Sequence, residues 1–277
     1  MEEILFKHGF GFKKKFGQNF LSDTNLLRAI VADAGVTQNS TVLEIGTGAG
    51  ALTRALAERA KRVVSYEIDR DLKPVLQESL AGLDNTEVVF RDFEKEDLAE
   101  LEEYLGEYSV AANLPYYITT PLIMRFVEEA EKCLGLTVMV QEEVALRLAA
   151  KENTADYGAI TAALAQRGTV AILRKVPRNM FTPRPNVDSA VVKVDFTKGG
   201  FAVKSSKAYK AAVRCAFLSR RKTLENNLVN AFRLNRETAK EILRAAGVEE
   251  GVRGETLPPP ILGALADVLY ERGIAGN

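Results

Sequence analysis

Residues 41–57 most constrain what this chain can fold into. Thr41-Val42-Leu43-Glu44-Ile45 is an apolar run of strand length. Gly46-Thr47-Gly48-Ala49-Gly50 breaks it, and Ala51-Leu52-Thr53-Arg54-Ala55-Leu56-Ala57 continues with helical spacing. A strand feeding a helix through a tight turn is the start of a βα series, and such series build parallel sheets. A glycine-rich turn at that point also lets a ligand approach the backbone and aims helix amides at it. The spacing is GxGxG, distinct from the GxGxxG of dinucleotide binders. Residues 62–66 read as the next strand and end in Glu67, 21 residues after Gly46. A carboxylate at about that distance commonly takes ribose hydroxyls. The order of elements therefore points to a nucleoside-containing ligand. A turn that only packs helix on sheet is the alternative.

Further along, residues 87–90 form a third strand leading to Arg91-Asp92-Phe93. Asp92 is placed either to accept from an adenine amino group or to cap the following helix, a common job for Asp. Residues 108–112 form a buried strand that runs into Asn113-Leu114-Pro115-Tyr116. Open α/β sheets place ligands at the carboxyl ends of their strands. Asn113 offers a side-chain acceptor. Pro115 has a fixed φ and no donor and biases Leu114 toward an extended conformation, leaving the Leu114 carbonyl as a second acceptor. Tyr116 adds a flat face. Two acceptors beside a stacking surface suit a planar molecule with an exocyclic amino group, such as adenine.

Later strands are expected over 136–140, 168–173 and 190–196. The expected fold is therefore α/β, a mostly parallel doubly wound sheet. Lys198-Gly199-Gly200 reads as a linker, and helical patterns follow it. The expected domains are residues 1–197, which include an N-terminal basic segment 1–23, and a small all-α domain, 198–277.

Composition narrows the chemistry. No apolar run approaches the ~18 residues of a membrane span, and the start of the chain lacks the apolar core of a signal peptide, so a cytoplasmic protein is expected. Cys133 and Cys215 both lie in apolar helical patterns and are expected as small core residues. The single histidine, His8, leaves Ser-His-Asp and Cys-His triads without a base and argues against a metal site of the His/Cys kind. Methyl transfer from a sulfonium fits this restriction, because the cofactor itself activates the electrophile and the protein supplies orientation and electrostatics.

Net charge is zero, but its distribution is uneven. Residues 84–107 carry ten acidic and two basic side chains, whereas residues 198–244 carry twelve basic and three acidic. Residues 166–186 add five basic and no acidic side chains, and Lys13-Lys14-Lys15 is flanked by Phe10, Phe12 and Phe16. Basic segments interleaved with aromatics fit a nucleic-acid footprint; solvated helix faces are the plainer alternative. Between the last two strands, the proline-rich stretch 176–185 carries one large aromatic, Phe181. On a stiff basic loop it is placed to stack a base. Facing Tyr116, it would clamp a flipped adenine, unless it plugs the sheet edge instead.

Five ordered motifs now resemble one family over nearly the whole chain. They are Lys15-Phe16-Gly17-Gln18-Asn19-Phe20-Leu21, Val42-Leu43-Glu44-Ile45-Gly46-x-Gly48-x-Gly50, Asn113-Leu114-Pro115-Tyr116, Phe181-x-Pro183-x-Pro185-x-Val187-Asp188-Ser189-Ala190 and Phe217-x-x-Arg220-Arg221-Lys222-Thr223-Leu224. The chain is similar to the ribosomal RNA adenine N6-dimethyltransferases, specifically those acting on small-subunit 16S rRNA. That resemblance implies a Rossmann-like class I S-adenosyl-L-methionine-dependent methyltransferase sheet with a small helical C-terminal domain that helps hold RNA. It implies that Gln18, Asn19 and Leu21 line the cofactor, that Gly46, Gly48 and Gly50 admit its methionine part, that Glu67 takes the ribose and that Asp92 takes the adenine amine. Asn113 and the Leu114 carbonyl would bind the target N6, Pro115 would shape that turn, and Tyr116 and Phe181 would sandwich the base. Lys13, Lys14, Lys15, Arg220, Arg221 and Lys222 would contact RNA. The implied partner is small-subunit rRNA in an immature 30S particle, met by a monomer, with no metal and no membrane. Two rivals are a large-subunit rRNA adenine methyltransferase of the antibiotic-resistance type and a non-catalytic assembly factor.

Overall fold

The computed structural model describes every residue except Met1, 14–16, Ser22, Leu114, Tyr117 and Asn277. In chain order the strands are β1 (Phe20–Leu21), β2 (Thr41–Ile45), β3 (Arg62–Tyr66), β4 (Thr86–Val89), β5 (Tyr108–Asn113), β6 (Cys133–Gln141), β7 (Thr169–Val176), β8 (Phe181–Thr182) and β9 (Ser189–Asp195). The helices are α1 (Glu2–Lys7), α2 (Thr24–Ala34), α3 (Ala51–Ala57), α4 (Lys73–Ser79), α5 (Leu98–Leu105), α6 (Thr119–Glu129), α7 (Glu142–Leu148), α8 (Ala159–Arg167), α9 (Ser206–Ala216), α10 (Leu224–Phe232), α11 (Arg236–Ala245) and α12 (Pro259–Glu271).

Seven strands form one sheet in the order β4-β3-β2-β5-β6-β9-β7. The ladders β4–β3, β3–β2, β2–β5 and β5–β6 are parallel, and β9 runs antiparallel to β6. This is the expected α/β sheet, and all seven expected strands are present. The order reverses between β2 and β5: from β2 the chain builds outward to β3 and β4, then returns to the other side of β2. Such a reversal opens a crevice at the carboxyl ends of the two central strands. Ile45 pairs with Ala112 there, which places Gly46 and Asn113, the next residue of each strand, side by side.

The inner parallel strands β3, β2, β5 and β6 are nearly continuous apolar runs because helices cover both faces. Leu27, Ile30 and Val31 of α2 and Leu52, Ala55 and Leu56 of α3 join Val42, Val63, Ala111, Met139 and Val191 in one cluster. The seven-residue α3 is too short to be stable alone, so this packing holds it in place. Helix α2 is fastened at both ends: Asp23 accepts from the Leu26 amide, and Gly35 closes it at φ 79°.

Strand β6 starts three residues earlier than expected. Gly135 weakens the strand pattern in sequence, yet a Cβ there would collide with the Val194 carbonyl of β9. The residue is glycine because two backbones meet at it. The two-residue ladder between β1 and β8 was not foreseen; pairs this short carry no periodicity.

The chain divides into two compact units, Met1–Ala145 with Ala171–Asp195, and Leu146–Val170 with Phe196–Asn277. A single cut at 197/198 was expected, but residues 146–170 group with the C-terminal helices. The reason is apolar burial: Tyr157 and Ala162 belong to one cluster with residues of α9, α10, α11 and α12, and the Tyr209 hydroxyl donates to the Ala162 carbonyl at 2.8 Å. Cys215 is in this cluster, where burial pushes its thiol up to about 12; Cys133 is also buried and free.

Candidate active site

A cleft of about 1250 Å³, its open mouth included, lies at the carboxyl ends of β2, β3 and β5. Its walls carry Gln18, Asn19, Leu21, Gly46, Gly48, Glu67, Asp92, Asn113, Pro115 and Tyr116. Residues from five separate stretches of the sequence thus converge on one site.

The glycine turn forms the floor. Gly46 sits at φ 84° and Gly48 at φ 56°, conformations that cost side-chain-bearing residues energy. The Gly46 amide donates to the Tyr66 carbonyl at 2.9 Å, tying the turn to β3. The Cβ direction of Gly48 points at the Phe20 ring, 2.9 Å away, so its missing side chain makes room for the N-terminal segment. Gly50 is not on the wall. It caps α3 at φ 88°, and a Cβ there would meet Ser79 and Leu80. Its expected contact with the methionine part is corrected: Gly50 closes the packing of α3 against α4.

Glu67 directly follows β3, with 6% exposure. Its Oε2 accepts from the Gly48 amide and its Oε1 from the Asp69 amide, both at 2.8 Å. Burial pushes this carboxyl up from its ordinary value, with the two N–H donors pulling the other way. Asp92 accepts from the Glu94 amide at 3.1 Å. It therefore does the capping job weighed in sequence while also lining the cleft. Phe93, beside it, stacks on Phe126 at 5.8 Å between ring centres.

Beneath the turn lies a polar network invisible to motif reading. Glu44 is fully buried in β2, and its Oε2 accepts from Thr53 and Ser65 at 2.6 Å each. Ser65 having donated there, Thr47 donates to Ser65 at 2.6 Å. Burial above all, then the charge of Glu67, pushes the Glu44 carboxyl up to about 8, although the Ser65 and Thr53 hydroxyls pull it down. The signal in sequence was an acid in the middle of an otherwise apolar strand.

Asn113 lies at the tip of β5, and its Nδ2 donates to the Asn19 carbonyl at 3.0 Å. That bond leaves Oδ1 as the acceptor. The Tyr116 hydroxyl is hydrogen-bonded at 2.9 Å to Oγ of Ser189, which is fully buried and so anchors the ring. Leu114, expected to give the second acceptor, lies outside the described residues.

Phe181 is not brought to Tyr116. Its ring is 4% exposed and belongs to the core cluster with Leu21, Leu27 and Val176. The ladder β1–β8 pairs it with Leu21, and burying an aromatic ring there gains about 2 kcal/mol over leaving it exposed. Phe181 thus takes the place described by the sheet-edge alternative, in the core and away from Tyr116.

Lys13 is also elsewhere than expected. Its Nζ donates to Asp69 at 2.6 Å and Asp71 at 2.5 Å, hydrogen bonds that hold the ammonium above its usual range. Lys14 and Lys15 lie outside the described residues. In the helical unit the Arg220 guanidinium donates to the Ala155 carbonyl at 2.7 Å and to the Tyr157 carbonyl. It clamps a loop where a phosphate contact was expected. Arg221 and Lys222 are exposed. His8 pairs with Glu78 at 2.8 Å and does not line the cleft.

Among the described residues no group of three or more His, Cys, Asp or Glu side chains could hold a metal ion. No helix among them is long and apolar enough to cross a membrane.

Several known proteins resemble this chain. Over residues 9–258 it matches the family described as ribosomal RNA adenine dimethylase. A protein of Geobacillus thermodenitrificans named ribosomal RNA small subunit methyltransferase A is 45% identical, over 97% of this chain and 94% of that one. Its namesake in Clostridioides difficile is 42% identical, over 97% and 94%. Among solved structures, the 23S rRNA methyltransferase ErmE superposes with a TM-score of 0.70 at 29% identity, over 91% of this chain and all of that one. A dimethyladenosine transferase from Plasmodium falciparum superposes at 0.78 with 23% identity, over 93% and 100%, and speaks for the fold. With a family match that spans most of its length and a cleft built from that family's motifs, this chain belongs to the ribosomal RNA adenine dimethylase family.

Proposed function

We propose that the protein uses S-adenosyl-L-methionine to dimethylate N6 of two adjacent adenines in a hairpin near the 3′ end of small-subunit rRNA. It acts as a monomer in the cytoplasm on an immature 30S particle. The observation that carries this is the meeting of Gly46, Glu67, Asp92, Asn113 and Tyr116 on one cleft. The relatives named for the small subunit are more alike to this chain than the 23S enzyme is, 45% against 29%, which favours the small-subunit reading over the large-subunit one.

The cleft fits the cofactor by its donor and acceptor set. Glu67 and Asp92 are acceptors suited to ribose hydroxyls and an adenine amine. The turn 46–48 brings backbone close to a ligand, and Gln18, Asn19 and Leu21 also line the cleft. When bound, the cofactor supplies a methyl group already activated by positive sulfur. The chain does the rest by position and electrostatics. Asn113 Oδ1 accepts from the amino group of the target base, drawing the nitrogen toward tetrahedral geometry so that its lone pair is no longer spread into the ring. Tyr116, its hydroxyl pinned by Ser189, offers its face to that base. The nitrogen that gains the methyl sheds its surplus proton to water, being strongly acidic at that point, so no base catalyst and no covalent intermediate are needed, in keeping with a chain whose one histidine lies off the cleft. The exposed Arg221 and Lys222 contribute phosphate attraction from the helical unit.

The test is incubation with labelled S-adenosyl-L-methionine and small ribosomal particles lacking adenine dimethylation, with 50S particles in parallel, followed by nucleoside analysis. Dimethyladenosine in the 30S sample alone is expected. Label in the 50S sample would move the protein to the resistance-type branch, and particle binding without label would make it an assembly factor.

A further inference from the structure

Asp69 has no assigned role, yet it ties the N-terminal wall of the cleft to the sheet. It is 2% exposed. Its Oδ1 accepts from Lys13 Nζ at 2.6 Å and its Oδ2 from Gln18 Nε2 at 2.9 Å. The Lys13 amide donates in turn to Gln18 Oε1 at 2.8 Å, closing a ring of three residues. The Asp69 amide meanwhile donates to Glu67. Burial pushes the Asp69 carboxyl up, but the hydrogen bonds from Lys13 and Gln18 outweigh it and hold the group below its ordinary value; it is charged when the clasp is made.

The residue after Gln18 carries the consequence. Asn19 offers its carbonyl to Asn113 Nδ2 at 3.0 Å, and its own side chain donates to the Gly17 carbonyl at 3.0 Å. A side-chain amide has a donor end and an acceptor end, and the partner it finds decides which end faces the site. With Nδ2 on Asn19, Oδ1 is left to accept. Were this carbonyl to move away, the amide could rotate and present N–H groups to an amino group that is itself a donor. Among the described residues, the regular backbone pairing of the wall that supplies the carbonyl is the two-residue ladder β1–β8. Segments so thinly held open at low cost, so the side-chain clasp decides whether this one stays closed.

We propose that Asp69 is a positioning residue for methyl transfer: by fastening Lys13 and Gln18 it holds the segment whose Asn19 carbonyl orients the Asn113 amide. This rests on the reading of Asn113 as the acceptor for the target amino group. It also links the cofactor wall to the base-binding amide, since Gln18 and Asn19 line the cleft.

The test uses the full-length protein and the 30S substrate above, comparing wild type with Lys13→Met, Lys13→Arg and Asp69→Asn. Two quantities are read: kcat with both substrates saturating, and hydrogen exchange of residues 17–21 in the ligand-free protein. Lys13→Met and Asp69→Asn should lower kcat by up to roughly a hundredfold, the scale of a misplaced functional group, and speed exchange in that segment. Lys13→Arg should preserve both. Lys13 is partly exposed, so its variants report even if Asp69→Asn fails to fold. Faster exchange with wild-type kcat would overturn the role, leaving Asp69 a holder of the wall alone; unchanged exchange would overturn the clasp itself. A wild type that methylates no adenine would overturn the proposed function, and this role with it, whereas an active wild type with equally active variants would overturn only the role of Asp69.

Discussion

The two compact units each close around an apolar core, but they put their polar groups in opposite places. In the sheet unit four carboxylates, Glu44, Glu67, Asp69 and Glu102, are buried. Three of them lie under or beside the glycine turn. In the helical unit the buried polar residues among the described residues are Thr161 and Asn227, neither of them charged, and its charged residues are half-buried or exposed. Burying a carboxylate is costly unless it is hydrogen-bonded or neutralised. The sheet unit bears that cost where a ligand is to be gripped. The helical unit has no such buried carboxylate residue and leaves cations such as Arg221 and Lys222 exposed, where the proposed function has them attract phosphates. One unit is built for precise local geometry, the other for packing and long-range attraction.

This contrast is sharpest at Asn113. Replacing it with Ala should lower methylation of 30S particles by about 10²–10³-fold, the scale for removing one group that stabilises developing charge, while particle binding is unchanged. An equal loss of binding would mean that the residue holds the fold and not the reaction. The counterpart in the helical unit is Leu228, which is fully buried. Leu228→Ala should cost about 2–5 kcal/mol on denaturant unfolding without changing activity per folded molecule.

A pH titration of stability probes the buried acids. Glu44 has its carboxyl raised from 4.5 to about 8. A raised value means that its contribution is fully present below the unfolded-state value and is lost as pH rises through about 8. The sheet unit should therefore weaken by a few kcal/mol at most between those limits. Glu44→Gln keeps an acceptor for Thr53 and Ser65 and should flatten that slope. An unchanged slope would assign it to Glu67, whose carboxyl is raised as well.

The smallest effects are expected on the surface of the helical unit. Arg221→Ala and Lys222→Ala should each reduce the salt dependence of rRNA binding by about one unit of slope, with stability unaltered. Arg220→Ala should do the reverse, lowering stability while leaving the slope alone, because its guanidinium is spent on the Ala155 and Tyr157 carbonyls. If all three behave alike, the distinction between clamp and contact collapses.

Much of the fold was legible in sequence because period and punctuation are local. The apolar run 41–45, the glycines after it and the acid at 67 announced a βα unit and a nucleoside-type ligand; the sheet realises this to within a few residues at most ends. The roles that depend on which partner a side chain finds were not legible. Phe181 carries the same ring whether it stacks a base or fills the core, and Lys13 the same charge whether it meets a phosphate or Asp69. By itself, then, the sequence determined the α/β class, the family and the chemistry of the cleft, since these follow from residue type and spacing. Only the tertiary structure decided that Phe181 is core, that Gly50 packs a helix, that Arg220 is a clamp and that Asn19 orients Asn113. Each of those rests on a meeting between residues from 26 to 160 places apart, whose energy exists only once the chain has closed around it.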